Sequence, residues 1–142
     1  MRIMHKFFSL ILAIMIIVPL QVFAMPDVKE ALSNVEFTGI NDENTKINAY
    51  EGKIILLFFG YTHCPDICPT TLLDISRSLK ELGKDADKVQ AVFVSVDYKR
   101  DTPKYLKEYV DYFDKRIIGL TSDKQNIDKL NKYFKTTYAL LD

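Results

Sequence analysis

Apolar residues follow two rhythms along this chain. Near-continuous runs at 53–60 (KIILLFFG), 89–96 (VQAVFVSV) and 116–120 (RIIGL) predict strands. The first two have the length and composition of strands buried on both faces of a parallel sheet. Between them the spacing changes to that of helices. Leu72, Ile75, Leu79 and Leu82 predict one helix, closed by Gly83 as the residue just past its end. Leu106, Tyr109, Val110 and Phe113 predict a second, with Thr102 as N-cap and Pro103 as its first helical residue. Ile127, Leu130 and Phe134 predict a third, capped by Ser122 or Asp123, and TTYALLD (136–142) reads as a further strand. Ahead of these, 35–53 (VEFTGINDENTKINAYEGK) carries apolar residues on either side of an Asn-Asp-Glu-Asn turn, which predicts a short hairpin. Strands alternating with helices after a hairpin imply an α/β fold with a mostly parallel central sheet. Such sheets bind ligands at the carboxyl ends of their strands, which directs attention to the loop after residue 60.

The N-terminus obeys a different rule. Arg2 and Lys6 precede an apolar run from Phe7 to Val18, then Pro19, Gln21 and the small-residue site Val22-Phe23-Ala24. That layout predicts a secretory signal at 1–24, leaving 25–142 as one domain. The alternative is an uncleaved anchor through 7–23, close to the roughly 17-residue lower limit for spanning and weakened by Pro19 and Gln21. Either places the domain outside the cytoplasm, in the periplasm or attached to the outer face of the inner membrane. No cysteine follows the run, which excludes a lipid anchor there.

With 142 residues, 48% hydrophobic and 27% charged, the composition excludes an intrinsically disordered chain and allows a single domain. Lys and Arg number 19, as do Asp and Glu, so nothing attracts nucleic acid or an anionic surface.

Both cysteines of the chain lie in FFGYTHCPDICPTTL (58–72), as Cys64 and Cys68. Pro69 suits the first turn of a helix, and the residue before a proline avoids the α region, so Cys68 is expected at the N-cap. Both sulfurs then converge on a helix N-terminus, where dipole and free N–H groups stabilise thiolates. Cys64, on the loop, is the expected attacking thiol. Three intervening residues depart from the Cys-x-x-Cys redox spacing, and two cysteines are too few for a four-ligand zinc site. A soft ion such as Cu(I), a redox dithiol and a structural disulfide all remain open. A disulfide closing so small a loop adds little by chain entropy. His63 is expected to bond nearby groups or tune Cys64 rather than serve as a ligand. Asp66, Asp97 and Asp101 read as turn and cap residues, and Tyr105, Tyr109, Tyr112 and Phe113 as core and rim. No Gly-rich phosphate loop or metal-spaced histidine pair is present, and a serine hydrolase or a peroxidase fits less well.

The segments GKIILLFFGYTHCPDICPTTL, FVSVDYKRDTPKYLKEYV and RIIGLTS, in that order, resemble the Sco (SenC) family of copper proteins, over nearly all of 35–140. Gly-Tyr-Thr-His-Cys-Pro-Asp-x-Cys-Pro is the most specific match. Asp97, Arg100, Asp101, Thr102 and Pro103 supply a second, with Tyr98 where proline is usual. The resemblance implies a thioredoxin-like fold and a role in assembling the binuclear copper centre of cytochrome c oxidase. It further implies that Cys64 and Cys68 hold copper for the copper-bearing oxidase subunit, and that the protein is a metallochaperone rather than an enzyme. The alternatives it leaves are a thiol–disulfide oxidoreductase that uses the same two cysteines on the subunit's thiols, and a remnant that does neither. The family's third ligand, a distant histidine in an Asp-His-Ser context, has no counterpart before Asp142. The fold's final hairpin and helix are likewise expected to be lacking, with reduced stability as the consequence.

Overall fold

The computed structural model describes residues 32, 33, 35–38, 44, 45, 50 and 52–140. The predicted signal or anchor and the Asn41–Glu43 part of the hairpin turn lie outside the described residues. Strands β1 (Phe37–Thr38) and β2 (Asn44–Thr45) pair antiparallel, with Phe37 opposite Thr45, so the hairpin predicted ahead of the core is present. Strands β3 (Ile54–Gly60), β4 (Val89–Ser95) and β5 (Ile117–Leu120) form a parallel sheet in the order β3-β4-β5. Helix α1 (Ile67–Glu81) and a 3-10 segment (Gly83–Lys88) connect β3 to β4. Helix α2 (Pro103–Phe113) connects β4 to β5, and α3 (Lys124–Phe134) follows.

The period-2 alternation of β4 assigns its two faces to different layers. Val92 and Val94 join Leu32, Val35, Phe37, Ile127 and Leu130 on the side of the hairpin and α3. Ala91 and Phe93 join Leu72, Leu79, Leu106 and Val110 on the side of α1 and α2. Phe37, Val92, Phe93, Val94 and Ile117 fill these layers from strands, and β-branched and aromatic side chains suit close packing on a pleated surface.

The capping signals are realised. Thr102 accepts from the Tyr105 amide at 3.3 Å, with Pro103 behind it, and Asp123 (not Ser122) caps α3 by accepting from the Asn126 amide at 2.8 Å. The Ser122 hydroxyl instead donates to the Glu36 carbonyl, tying the hairpin to the end of β5. Gly83, just past α1, has a φ of +54°, the left-handed conformation its sequence position called for.

Three expectations are corrected. β3 is not buried on both faces: Ile54 and Leu56 are 69% and 41% exposed, because among the described residues β3 pairs only with β4 and its α1-side face is uncovered at that end. Residues 136–140 form no strand. Their polar groups are taken by α3: the Thr136 hydroxyl donates to the Asn131 side chain, and the Tyr138 hydroxyl to Asp128 at 2.7 Å. Cys68 is not the N-cap of α1, for reasons set by the cysteine loop itself.

Candidate metal and thiol site

Gly60 ends β3 and the chain turns at once into the cysteine loop. A β-carbon on Gly60 would stand 2.6 Å from Phe93 Cε2 and 3.0 Å from Cys68 Sγ, so only glycine lets the sulfur sit against the strand. Asp66 occupies the N-cap, Ile67 is the first helical residue, and Cys68 and Pro69 lie within the first turn. The first helical bond runs from the Thr70 amide to the Asp66 carbonyl, 3.2 Å. Amides before it have no partner inside the helix, so the missing N–H of Pro69 removes nothing. The Cys68 amide, one of those left over, donates to Cys64 Sγ at 3.4 Å. A helix that starts two residues earlier than the proline rule suggested thus aims an amide at the first sulfur.

Both cysteines are free, and both are buried more deeply than a loop position implied, at 8% and 4% exposure. Burial pushes the Cys64 thiol up, but the hydrogen bonds it receives outweigh that. Donors are the Cys68 thiol, the Asp66 and Cys68 amides and the Tyr61 hydroxyl, and together they hold Cys64 below the usual thiol range. Cys68 is pushed up, first by its own burial and then by donating its proton to Cys64. The pair therefore ionises in two steps, with Cys64 the readier to become a thiolate. Tyr61, exposed to the same negative sulfur, is raised in turn.

The sulfurs open onto a cleft of about 450 Å³. Its walls include Gly60, Tyr61, Asp97 and Arg100, with residues 136–140 along the far side. Arg100 is paired with Asp97. Tyr109 stands behind: its hydroxyl has no partner, and burial, aided by the charges of Cys68 and Cys64, raises it to about 12. Two adjacent sulfurs, one primed to ionise, are a donor set for a soft, low-coordinate cation. Among the described residues no three His, Cys, Asp or Glu side chains stand together as a metal cage.

What sequence reasoning missed is the carboxylate beneath the loop. Asp101, its side chain fully buried, accepts from the Thr62 amide (3.0 Å), the Thr62 hydroxyl (2.6 Å) and the Ser95 hydroxyl (2.5 Å). It thereby joins the loop to the end of β4 and the start of α2. Asp66 stays on the surface at the helix start and makes no side-chain cap bond. Tyr112 is fully on the rim, and Tyr109 and Phe113 pack against the α1–α2 core layer.

The model of the family described as SCO1/SenC matches residues 26–142. The SCO2-like protein of Rickettsia felis is 41% identical over 101 residues, which cover 69% of this chain and 49% of that protein. The chain thus spans about half the length of the curated relatives it matches. The structure of Bradyrhizobium japonicum ScoI with copper bound superposes with a TM-score of 0.66 at 46% identity, covering 71% of this chain and 64% of that one. BsSco, whose structure identifies a disulfide switch in a member of the Sco family of cytochrome c oxidase assembly proteins, gives 0.59 at 26%, covering 72% and 63%. The α/β, thioredoxin-like architecture expected from the sequence is the one these structures share.

Proposed function

The chain belongs to the SCO1/SenC family, and from that premise we propose that it is a copper-binding protein that assists assembly of the copper centre of cytochrome c oxidase. Cys64 and Cys68 bind Cu(I) as cargo and release it by ligand exchange to the copper-bearing subunit of the oxidase. Residues 1–24 export the protein, as a cleaved signal or as an anchor, and 25–142 form the working domain in the periplasm or on the outer face of the inner membrane. The observation that carries this reading is the meeting of two free thiols at the start of α1, one held low and receiving the other's proton. Thiolate ligation suits Cu(I) over harder ions. Copper bound to Bradyrhizobium japonicum ScoI supports the choice of cargo, and the membership of BsSco in the Sco family of cytochrome c oxidase assembly proteins supports the choice of recipient.

Chemistry at the site follows from the asymmetry. Cys64 is the first donor, being the readier to ionise. Cys68 completes the pair by surrendering its proton, so binding releases protons and strengthens as pH rises. X-ray absorption of the Cu(I)-loaded, reduced chain tests the donor set. Two sulfur scatterers at the metal are expected, and a shell of oxygen and nitrogen alone overturns the assignment.

The same asymmetry favours a second reading, thiol–disulfide exchange on the oxidase subunit. Cys64 thiolate would attack a substrate disulfide, forming a mixed disulfide and expelling one substrate thiolate. Cys68 would then attack the Cys64 sulfur, closing the Cys64–Cys68 disulfide and releasing the second thiolate. Two electrons leave the dithiol and reduce one disulfide. Copper-independent reduction of a peptide disulfide, stoichiometric with Cys64–Cys68 oxidation, distinguishes this activity from metal delivery.

A further inference from the structure

Among the described residues, Arg100 is the one basic side chain lining the cleft onto which Cys64 and Cys68 open, and Asp97 the one acidic side chain. The two are not equally reachable: the Asp97 side chain is 2% exposed and that of Arg100 51%. Asp97 Oδ2 takes Nε and Nη2 of the guanidinium, its side-on pair of donors. The end-on pair, Nη1 and the second hydrogen of Nη2, has no partner among the described residues. Those N–H groups run parallel, in the fork that matches the two oxygens of a carboxylate. Asp101, whose charge also reaches Arg100, has no exposed surface and is occupied by Thr62 and Ser95. A guanidinium that only neutralised Asp97 would do so as well with its free end turned to open solvent. Here it shares a wall with both sulfurs. Phe59, Ile67, Val96 and Leu140 add apolar surface to the same cleft, and Ile67 is 67% exposed at the start of α1. At about 450 Å³ the space is of the size that encloses a ligand rather than a lone carboxylate.

We infer that this cleft docks an extended acidic peptide segment of the partner protein, with a carboxylate of that segment on the free end of Arg100 and its cysteine brought to Cys64. Arg100 is thereby a specificity residue: it selects segments that carry an acidic side chain beside the cysteine. The inference deepens the proposed function, and rests on it for what the partner exchanges with the two thiols. Docking is non-covalent; no bond breaks and no electron moves in it. Apolar side chains of the segment lie along Ile67 and Leu140, and the charge pair sets which segments are accepted.

The test uses the full reduced chain, labelled with nitrogen-15 and free of metal. The probes are short peptides that differ only in carrying Glu, Gln or Lys beside an S-methylcysteine, whose thioether keeps them unreactive. Chemical-shift titration should move the amides of Tyr61, Cys64, Arg100 and Thr137. The Glu peptide should bind about three- to fivefold more tightly than the Gln peptide, with the Lys peptide weakest. Arg100→Gln should bind the Glu and Gln peptides equally, and Arg100→Glu should reverse the order. Both strip Asp97 of its partner, so Arg100→Lys is included; it keeps the charge and should keep the order, with a smaller preference because the paired donors are gone. Arg77→Gln removes a guanidinium 72% exposed on α1, outside the cleft, and should change nothing. A parent that binds none of the peptides or all alike, shifts confined to another surface, or an Arg100→Gln that keeps the order would each overturn the inference. Where a variant fails to fold, the parent's own peptide series decides. The Cys64→Ser/Cys68→Ser variant separates the two readings, since Arg100 carries the charge order and the variant should retain it. If that variant binds Cu(I) as well as the parent does while the order holds, the copper reading falls and the docking of an acidic segment stands. If only the parent binds Cu(I) and the order is absent, only the docking falls.

Discussion

Adding one methyl group at Gly60 should disable the site from beneath. In Gly60→Ala the new Cβ would stand 2.6 Å from Phe93 Cε2, 3.1 Å from Phe93 Cζ and 3.0 Å from Cys68 Sγ. Carbon atoms pack at about 3.5–4.0 Å, so the ring and the sulfur must each yield by several tenths of an ångström or more. Phe93 has no room to do so: it is fully buried and packed between Phe58 and Tyr109, with centroids at 5.5 and 6.0 Å. Overpacking of this kind costs about 1–3 kcal/mol, and at roughly 4 °C per kcal/mol for a domain near this size the melting temperature should fall by about 4–12 °C. Cys68 Sγ, pushed off the strand, would withdraw its proton from Cys64, and the Cys64 thiol would climb back toward its ordinary range. The assay pairs a thermal melt with the pH profile of alkylation at Cys64, each site read by mass spectrometry. Gly119→Ala is the control, since its Cβ would meet Leu106 at 3.0 Å, far in function from the thiols. It should lower the melting temperature and leave the alkylation profile alone. A Gly60→Ala protein that melts and alkylates like the parent would refute the reasoning.

Other outcomes follow from the same geometry. Alkylation of the parent should proceed at Cys64 first, with half-maximal rate below the ordinary thiol value, while Cys68 reacts only at distinctly higher pH; equal profiles would contradict the shared proton. Asp114 is held down to about 2, chiefly by the Arg116 guanidinium, so its stabilisation is present above the ordinary aspartate value of 3.8 and is lost as pH falls through about 2. Asp114→Asn should therefore be less stable than the parent at pH 7, with the gap closing between pH 4 and 2 in urea titrations; a constant gap would show the ion pair to be idle. Tyr109→Phe should be neutral or stabilising, because it removes a buried hydroxyl that has no partner, and a loss of more than about 1 kcal/mol would reveal a bond to it.

The parts of the fold written in short-range chemistry were legible. Thr102-Pro103 and Gly83 mark helix ends because the cap and the positive φ are local requirements, met where the residues stand. The apolar runs yielded all three parallel strands, and the spacing of Cys64 and Cys68 around two prolines singled out the loop. Features set by distant neighbours were not legible. Asp101 reads as a turn residue until β4 brings Ser95 and the cysteine loop brings Thr62 to its oxygens, from 6 and 39 positions away. Gly60 looks like a strand terminator, yet its contact with Cys68 Sγ exists only once α1 has folded back over the strand. Cys68 was misplaced by one rule, that the residue before proline leaves the helix, because the unpartnered first turn tolerates Pro69. β3 has the composition of a central strand, but exposure depends on which neighbours it has, and composition carries no record of them.

The central claim is that Cys64 and Cys68 together hold Cu(I). A titration of the reduced chain with Cu(I) against a competing chelator, alongside the Cys64→Ser/Cys68→Ser variant, tests it most directly. Tight one-to-one binding that vanishes in the variant is the predicted result. Weak binding, or binding that survives loss of both sulfurs, would contradict the account.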